Sequence, residues 1–594
     1  MKSFAALKRN IKKPASGLKR IRVGVLGDSS TQLFTQALKG YGYEAGLDLD
    51  LHEAPHDQIE LQVFEPESGL YKAKPEFIIL FCSVQKLREK FYRTDLAEKK
   101  NFAESHIRWI ESLYAVLLKK IPVQIICLNF PELNDSVYGN FSNKTELSFV
   151  YQLRKINYRL MQLSSELKSL SICDVCSLQG YYGKKFIFDS TTYFRSDMVF
   201  SIAFLPFIAK NICDIVLSVC GVFKKCLIMD LDDMIWGGLI GDDGMENIQI
   251  GDLGAGKSFS EMQMWIKQLK QRGIILAVCS KNNELTAKEP FEKHPDMILH
   301  LDDIAVFVAN WRSKAENIQY IRRTLGIGFD SMVFLDDNPF ERNCIRDLIP
   351  QITVPELPEN PGDHLDFLQT LNLFEMASLS LEDGTRTQYY LEETRRSVVS
   401  GKYPDEHEFL KSLHMVSHIE PANKFNLPRL SQLSQRSNQF NLRTIRYTEE
   451  EIGTISQAAD TVILSFTLND KYGESGIICL VILKKKNPDT LFIDTWLMSC
   501  RVLNRRMDCF TLNAIAKVAR VNGIKNLTGE YIPTHQNSLV RDHFFNLGFV
   551  QTDGSWTLDM QTFEERPCLI TALNTNWDKN QALIFSLRGQ GVFL

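Results

Sequence analysis

Four aspartates in the middle of the chain have the positions needed for phosphoryl transfer. Asp230 ends the apolar run KCLIMD, and Asp232 follows two residues later. Asp336 and Asp337 end another apolar run, MVFLDD. A carboxylate can attack phosphorus to form an aspartyl phosphate, and a second carboxylate two residues on can protonate the leaving group and then activate water. Because clustered carboxylates repel one another, the set implies a hard cation, Mg²⁺.

Two further residues are suited to hold the phosphoryl oxygens. Ser280 ends the apolar run IILAVCS, and Lys314 stands at the start of a predicted helix. A hydroxyl and an ammonium group would bind these oxygens and offset their charge. The alternative is that the aspartates are turn residues and Lys314 is a solvated helix charge. The order of all these residues along the chain favours a site.

The elements around these residues predict a parallel α/β layer. The predicted strands cover 225–230, 274–279, 297–301 and 332–336, and the predicted helices cover 258–272 and 313–325. Ser313 and Glu316 form a capping-box pattern, and Gly273 and Gly326 favour left-handed helix ends. The carboxyl ends of parallel strands meet at one edge of a sheet, so the candidate residues should face one crevice.

The flanking sequence predicts two more domains. Apolar runs at 21–26, 77–82, 122–129 and 169–175 alternate with helical patterns, which indicates a second α/β layer. After Pro355, Pro358 and Pro361, the runs VILSFTL, IICLVIL and LFIDTWLM look antiparallel, and a helix follows at 508–521. We therefore expect an α/β protein of three domains, at 1–215, 222–378 and 379–594.

The central segment resembles the haloacid dehalogenase superfamily, whose motifs match the residues above. The resemblance implies a Rossmann-like parallel sheet, with Asp230 as nucleophile and Asp232 as acid and base. The implied phosphate-binding residues are Ser280 and Lys314, and the implied metal ligands are Asp230, Asp232, Asp336 and Asp337. Only about 20 residues separate Trp236 from the helix at 258, so no large cap is expected over the site.

More narrowly, the segments DLDDMIWGGLIGDDG, LAVCSKNN, NWRSKAENI and FLDDNPFERN resemble the FkbH-like subfamily. That subfamily is associated with loading a glyceryl unit from 1,3-bisphosphoglycerate onto an acyl carrier protein, with loss of phosphate. Met234 stands where the family usually has threonine, so the nucleophile loop must be supported differently. Cys279 could carry the acyl group if Lys281 or Lys314 lowered its pKa; the alternative is a buried strand cysteine.

Three functions remain open at this stage. The first is the FkbH-like enzyme, acting on a phosphorylated three-carbon acid and an acyl carrier protein. The second is a phosphatase of a small phosphate ester, serving sugar or polysaccharide biosynthesis. The third is a non-catalytic scaffold, which Met234 favours and the retained aspartates oppose.

The first domain resembles the SGNH hydrolases at Gly27-Asp28-Ser29, which implies a flavodoxin-like layer with Ser29 in the nucleophile position. That chemistry needs a histidine base late in the domain, and the segment 189–200 contains none. We therefore expect a scaffold without hydrolase activity.

The third domain resembles the GNAT acyltransferases, an α+β fold. Its segment TWLMSCRVLNRRMD stands where that family has a glycine-rich pyrophosphate loop, but Asn504 and Arg506 replace the glycines. Coenzyme A binding is thus not expected. Arg501, Arg505 and Arg506 are candidate contacts for the phosphate of a pantetheine arm carried by a partner protein.

The segment GDLGAGKS, residues 251–258, matches the phosphate-loop pattern G-x-x-x-x-G-K-[ST]. The stretch before it, NIQI, is short and polar, and the segment lies between two motifs of the other site. We interpret it as the loop that enters the helix at 258, with no nucleotide bound.

Composition limits the partners and the location. The 594 residues carry 68 basic and 72 acidic side chains, a net charge of −4, which gives no reason to expect nucleic acid. No apolar run reaches the ~20 residues of a membrane span. The 13 cysteines are scattered without a disulfide or metal pattern, which is typical of a reducing compartment. We expect a cytoplasmic protein.

Overall fold

The computed structural model describes residues 1–379, 396, 403, 405–499, 502–503, 505–534, 537–552 and 554–574. The chain divides into two compact units, Met1–Leu217 and Ser218–Leu594. Within these described residues, the first unit contains one sheet and the second contains two. Each of the three predicted domains holds one of these sheets, while the domain boundaries themselves stay a prediction. In the described ranges, no helix combines the length and the apolar character needed to cross a membrane.

The first unit is built on a five-stranded parallel sheet. Its strands are β1 (Lys19–Gly27), β2 (Leu47–Glu53), β3 (Phe77–Phe81), β4 (Gln124–Leu128) and β5 (Leu170–Cys173). Its helices are α1 (Phe4–Asn10), α2 (Gln32–Glu44), α3 (Ile59–Phe64), α4 (Gly69–Ala73), α5 (Val84–Arg93), α6 (Phe102–Lys120), α7 (Phe149–Glu166), α8 (Val175–Tyr182), α9 (Lys184–Ile187), α10 (Ser190–Ser196) and α11 (Leu205–Val219). The strand order is β2-β1-β3-β4-β5, with every neighbouring pair parallel.

The second unit begins with a four-stranded parallel sheet. Its strands are β6 (Cys226–Met229), β7 (Ile275–Ser280), β8 (Ile304–Ala309) and β9 (Met332–Leu335), in the order β8-β7-β6-β9. The helices around it are α12 (Ile240–Asp243), α13 (Gly254–Gln271), α14 (Glu284–Lys293), α15 (Lys314–Leu325), α16 (Pro339–Leu348) and α17 (His364–Thr370). Every residue of β6, β7 and β9 is buried, as expected for a parallel sheet covered on both faces.

Local sequence explains where these elements begin and end. The Ser313 hydroxyl accepts a hydrogen bond from the backbone N–H of Glu316 (3.2 Å), and Gly326 ends α15 in the left-handed region (φ 63°). The predicted strand at 297–301 is wrong. Met297 and Leu299 pack into the core from an irregular segment, and a short 3₁₀ turn precedes β8 at Ile304.

The second unit continues with a larger, mostly antiparallel sheet. Its strands are β10 (Val416–Ser417), β11 (Ile419–Pro421), β12 (Thr461–Asp470), β13 (Gly473–Asn487), β14 (Thr490–Met498), β15 (Asn526–Gly529), β16 (Val550–Thr552), β17 (Ser555–Asp559) and β18 (Thr571–Ala572). Its described helices are α18 (Glu406–Ser412), α19 (Leu427–Arg436), α20 (Glu449–Ser456), α21 (Met507–Val521) and α22 (His543–Asn546). The β14 and β15 strands are parallel and are connected through α21. Two parallel α/β sheets and one α+β sheet confirm the predicted fold class.

Candidate active site

Asp230, Lys314 and Asp336 meet at the carboxyl edge of the four-stranded sheet. Asp230 directly follows β6, Asp336 directly follows β9, and Lys314 is the first residue of α15. The Lys314 ammonium donates to the carboxylates of Asp230 and Asp336. The three residues are 8%, 3% and 0% exposed, in the order Asp230, Lys314, Asp336. The structure thus joins three predicted site residues in one buried ionic group.

Electrostatics keeps this lysine charged. Burial by itself favours the neutral amine, but the carboxylates of Asp230 and Asp336 outweigh it and raise the pKa of Lys314 above its ordinary value. Lys314 therefore carries a permanent positive charge, and its ammonium can bind another anionic group in addition to the two carboxylates.

Asp232 lies near Asp230, and its carboxylate is held by three donors. Oδ1 accepts hydrogen bonds from Nε1 of Trp236 (2.9 Å) and from the backbone N–H of Ile240 (3.2 Å). Oδ2 accepts one from Nδ2 of Asn282 (2.9 Å). Burial, with a smaller contribution from the charge of Asp230, raises the pKa of Asp232 despite these bonds. This carboxyl group is therefore fixed in position and able to carry a proton.

The turn after β6 shows how this chain supports its loop without threonine. Met234 is fully buried in the apolar core, so packing holds it in place. Asp233 adopts a left-handed conformation (φ 52°), and its carboxylate accepts a hydrogen bond from the backbone N–H of Gly238 (2.8 Å). A buried side chain and an aspartate-to-backbone bond thus take the place of a hydroxyl.

Ser280 and Asn282 connect the end of β7 to Asp232. The Ser280 side chain is buried, and its Oγ accepts a hydrogen bond from Nδ2 of Asn282 (3.1 Å). The same amide nitrogen donates to Asp232. Ser280 therefore lies beside the proposed acid and base, at the strand end where the sequence placed it.

Arg342 fixes the loop that carries the two last aspartates. Its Nη1 donates to the backbone carbonyls of Asp336 (2.9 Å) and Asp337 (2.5 Å), and its Nη2 pairs with Glu356 (2.6 Å). Arg342 is 4% exposed, so water does not compete for these bonds. The sequence prediction missed Arg342, although FLDDNPFERN contains it.

Asp230, Asp336 and Asp337 have the geometry of a cation site. Among the described residues, one carboxylate oxygen from each of these three aspartates lies within 4.8 Å of the other two. Burial and the charge of Asp230 raise the pKa of Asp336 to about 7 and that of Asp337 to about 6. A divalent cation relieves such repulsion, and an all-oxygen donor set fits Mg²⁺. The Asp232 carboxylate bonds to other donors and is not one of these three groups, so its part in metal binding stays a prediction.

The surroundings of Cys279 favour a structural role, and its role as an acyl carrier stays a prediction. Its side chain is fully buried, on the sheet face that packs against α15, and its Sγ lies 3.8 Å from the carbonyl oxygen of Lys314. Burial raises the pKa of this thiol, with Asp230 and Asp336 also raising it and Lys314 only partly opposing them. The alternative of a structural strand cysteine fits the structure.

The candidate pantetheine contacts are only partly available. Arg501 lies outside the described residues. Arg505 is buried, and its Nη1 pairs with Asp470 (3.1 Å), so its charge is already balanced inside the domain. Arg506 is exposed before α21 in the left-handed region (φ 59°), and its role stays a prediction.

The phosphate-loop look-alike forms the start of α13. The helix begins at Gly254, inside the pattern, and a Cβ on Gly256 would lie 2.9 Å from the backbone carbon of Ile250. Lys257 is exposed and lies 3.9 Å from Glu261, one turn on. The close approach of the Ile250 backbone therefore explains why residue 256 is a glycine, and no bound nucleotide is needed to explain it.

We expect Lys257→Ala to leave catalytic activity unchanged, because this side chain is exposed and lies near Glu261 of its own helix. Turnover of a phosphate ester by the purified full-length variant checks this. A loss of more than about tenfold would show that the segment takes part in phosphate binding.

In the first unit, Ser29 lies at the end of the turn after β1 and is 1% exposed. The segment 189–200 supplies no histidine that could serve as a base. A histidine from a distant part of the sequence does reach this segment, because Nε2 of His56 forms a hydrogen bond with Asp197 (2.8 Å). The sequence prediction missed this pair because 141 residues separate its members. The loss of hydrolase activity stays a prediction, and the burial of Ser29 supports it.

Comparison with known proteins places the chain in a family. Residues 22–217 match the family model described as FkbH, N-terminal domain. The crystal structure of the N-terminal part of BF1531 from Bacteroides fragilis, containing a phosphatase domain and complexed with Mg, is 48% identical. The alignment covers 64% of this chain and 100% of that chain, with a TM-score of 0.62. This chain belongs to the BF1531 family.

Other solved structures match a smaller part of this BF1531-family chain. The ribosomal-protein-S18-alanine N-acetyltransferase of Escherichia coli is 14% identical, covering 26% of this chain and 99% of its own, with a TM-score of 0.20. The GNAT domain of S. lividans PAT is 19% identical, covering 24% and 89%, with a TM-score of 0.19. No curated protein has significant sequence similarity to the chain.

Proposed function

We propose that this chain is a Mg²⁺-dependent phosphatase of the haloacid dehalogenase type, acting through an aspartyl phosphate on Asp230. The observation that carries the proposal is the buried group in which Lys314 bridges Asp230 and Asp336 beside Asp337. The Mg-complexed phosphatase domain of BF1531, at 48% identity, supports it.

The proposed reaction begins with attack by a carboxylate oxygen of Asp230 on the phosphorus of a small phosphate ester. The bond from phosphorus to the ester oxygen breaks, and Asp232 donates a proton to that leaving oxygen. Asp232 then takes a proton from a water molecule as the water oxygen attacks the phosphorus. The bond between phosphorus and Asp230 breaks, which releases inorganic phosphate and restores both carboxyl groups.

The remaining residues orient and neutralise the phosphoryl group. The ammonium of Lys314 and the hydroxyl of Ser280 would bind its oxygens. Asp230, Asp336 and Asp337 would hold Mg²⁺, which when bound offsets negative charge on the phosphoryl oxygens. Trp236 and Asn282 would keep the Asp232 carboxyl group in place through both steps.

The proposal is tested with a panel of phosphate esters that includes sugar phosphates and phosphorylated three-carbon acids. We expect phosphate release with Mg²⁺, loss of release with EDTA, and recovery when Mg²⁺ is added in excess. Turnover that is insensitive to EDTA would contradict the role of the aspartate group. Failure to hydrolyse any ester in the panel would contradict the proposed activity.

Arg342→Gln should weaken the metal site without removing a ligand. The shorter amide cannot reach both loop carbonyls, so the Asp336 and Asp337 carboxylates lose their fixed spacing. Supporting residues of this kind contribute about 10- to 100-fold to metal affinity or activity. The Mg²⁺ concentration for half-maximal activity should therefore rise by at least about tenfold, whereas in Arg346→Gln, which leaves both loop bonds in place, it should not change. An unchanged requirement in Arg342→Gln would contradict the positioning role.

A second candidate is acyl transfer from an acyl phosphate to an acyl carrier protein, favoured by the match of residues 22–217 to the FkbH N-terminal domain. The chain would be incubated with 1,3-bisphosphoglycerate and a phosphopantetheinylated acyl carrier protein. A hydroxylamine-labile adduct on the carrier would support transfer. Phosphate release without an adduct would contradict transfer and leave the phosphatase proposal standing.

A further inference from the structure

Four exposed apolar side chains, here called the apolar rim, lie at the carboxyl edge of the four-stranded sheet. Leu239, Leu285, Trp311 and Phe340 follow β6, β7, β8 and β9, in that order. They are 48%, 81%, 77% and 69% exposed, and none belongs to the two apolar cores that flank this sheet. A single exposed apolar side chain is ordinary in a folded protein. Large apolar side chains after all four strands, around one site, instead point to something that covers them.

Hydrogen bonds fix the first two rim residues beside the proposed acid and base. The backbone N–H of Ile240, next to Leu239, donates to Oδ1 of Asp232 (3.2 Å). After β7, Nδ2 of Asn282 donates to Oδ2 of the same carboxylate (2.9 Å), and Leu285 follows three residues later. In the proposed reaction this carboxyl group protonates the leaving oxygen, so these two leucines stand near the start of the alcohol part.

Trp311 is fixed beside the phosphate-binding residues. The backbone N–H of Asn310, the residue before it, donates to the carbonyl oxygen of Ser280 (3.1 Å). Three residues after Trp311, the chain reaches Lys314, whose ammonium bonds to Asp230. This tryptophan is thus carried by a short connection that is bonded to the site at both ends.

Phe340 is fixed beside the metal ligands in the same way. Its backbone N–H donates to Oδ1 of Asn338 (2.9 Å), and the backbone N–H of Asn338 donates to Oδ1 of Asp336 (3.0 Å). Two successive hydrogen bonds therefore connect this exposed ring to a buried carboxylate of the site.

The connections themselves leave the edge of the sheet open. Residues 230–253, between β6 and α13, hold one α-helix, α12, of four residues, and β7 is joined to α14 by residues 281–283 alone. The alcohol part of a phosphate ester begins at the leaving oxygen, beside Asp232. From there it extends outward past these connections, so the apolar rim is the surface it meets next.

We propose that the phosphate ester cleaved at this site has an apolar alcohol part, with an aromatic ring as the preferred group. The ring packs against Trp311 and Phe340, since aromatic side chains bury a large area and favour other rings. Leu239 and Leu285 contact the carbon chain nearer the leaving oxygen. The inference rests on the proposed function, because it names the substrate class of the Asp230 site.

The test measures binding apart from turnover, with two phosphonates that have no ester bond to cleave. Isothermal titration calorimetry of the full-length chain with Mg²⁺ gives dissociation constants for 4-phenylbutylphosphonate and 4-hydroxybutylphosphonate, which share the chain and the phosphoryl group. The phenyl compound should bind about tenfold more tightly, because its ring leaves water on binding. Equal dissociation constants, or no binding of either compound, would overturn the inference; equal constants would leave the apolar rim as a surface for a protein partner.

Variants of the apolar rim locate the preference. Joint Trp311→Ala and Phe340→Ala substitution should remove most of the tenfold difference, while the dissociation constant of the hydroxyl compound stays unchanged. The control is Leu348→Ala, an exposed apolar residue at the other end of α16, which should keep the difference. A difference that survives the joint substitution would overturn the assignment. Thermal melting checks folding, and where the joint variant is unfolded, the two phosphonates on the unsubstituted chain decide.

Turnover separates this inference from the proposed function. The esters 3-phenylpropyl phosphate and 3-hydroxypropyl phosphate have the same kind of leaving oxygen, so a higher kcat/KM for the phenyl ester reflects contact with the apolar rim. Phosphate release from both esters at equal kcat/KM would overturn the inference and leave the phosphatase standing. Tighter binding of the phenyl phosphonate without release from any ester would contradict the phosphatase and leave the apolar contact standing.

Discussion

Asp230→Asn is expected to reduce phosphate release by at least about 1,000-fold, because an amide cannot attack phosphorus or form the acyl phosphate. The substitution preserves shape, and its side chain can still accept a hydrogen bond from Lys314. Steady-state turnover of the best ester found in the panel measures the effect.

The matched control for this variant is Asp242→Asn, which removes an exposed carboxylate on α12 and should retain full activity. Thermal melting of both variants separates loss of chemistry from loss of structure. If Asp230→Asn kept the activity of the unsubstituted chain, Asp230 would not be the nucleophile. If no variant changed any measured turnover, the non-catalytic scaffold would become the better interpretation.

Lys314→Met is expected to have the second large effect, on both activity and stability. The side chain keeps its length but loses the ammonium between Asp230 and Asp336. Without that donor, phosphate release should fall by about 100-fold or more. Without Mg²⁺, two carboxylates remain buried with no cation, which should lower the free energy of unfolding by about 3–5 kcal/mol.

Urea unfolding with and without Mg²⁺ measures the stability effect. We expect added Mg²⁺ to recover more stability in Lys314→Met than in the unsubstituted chain, because the metal replaces the lost positive charge. Lys257→Met is the control, since its ammonium is exposed, and should show neither effect. A Lys314→Met protein that unfolds like the unsubstituted chain would contradict the bridging role of Lys314.

The strand ends that carry the site follow from local sequence. Cys226–Met229 and Met332–Leu335 are short, wholly apolar runs followed by polar residues, and Ile275–Ser280 is apolar up to its last residue. This pattern is typical of buried parallel strands. Parallel packing alone then brings Asp230, Ser280 and Asp336 to the same edge.

Elements with weaker patterns were harder to predict. The edge strand β2, LDLDLHE, alternates leucine with aspartate and is only partly buried, so it lacks the apolar run that marks the other strands. The run MILHL is apolar enough for a strand but fills the core from an irregular segment. There, tertiary packing rather than β propensity decides the conformation.

The hydrogen bonds and ion pairs between side chains could not be predicted from the spacing of residues in the sequence. Asn282 and Trp236 hold Asp232, and both stand within the predicted motifs, but only the folded turn shows that their donors converge. Arg505 was predicted to contact a partner's phosphate, but it is buried and pairs with Asp470, which stands 35 positions earlier in the sequence. Charge type is visible in sequence, whereas the partner that neutralises it depends on the tertiary structure.

The most direct test of the account is to trap the phosphorylated residue during turnover. Acid quenching followed by borohydride reduction converts an aspartyl phosphate to homoserine, which peptide mass spectrometry can locate. The account predicts homoserine at Asp230, dependent on substrate and Mg²⁺ and missing in Asp230→Asn. Modification of another residue, or steady phosphate release with none at Asp230, would contradict it.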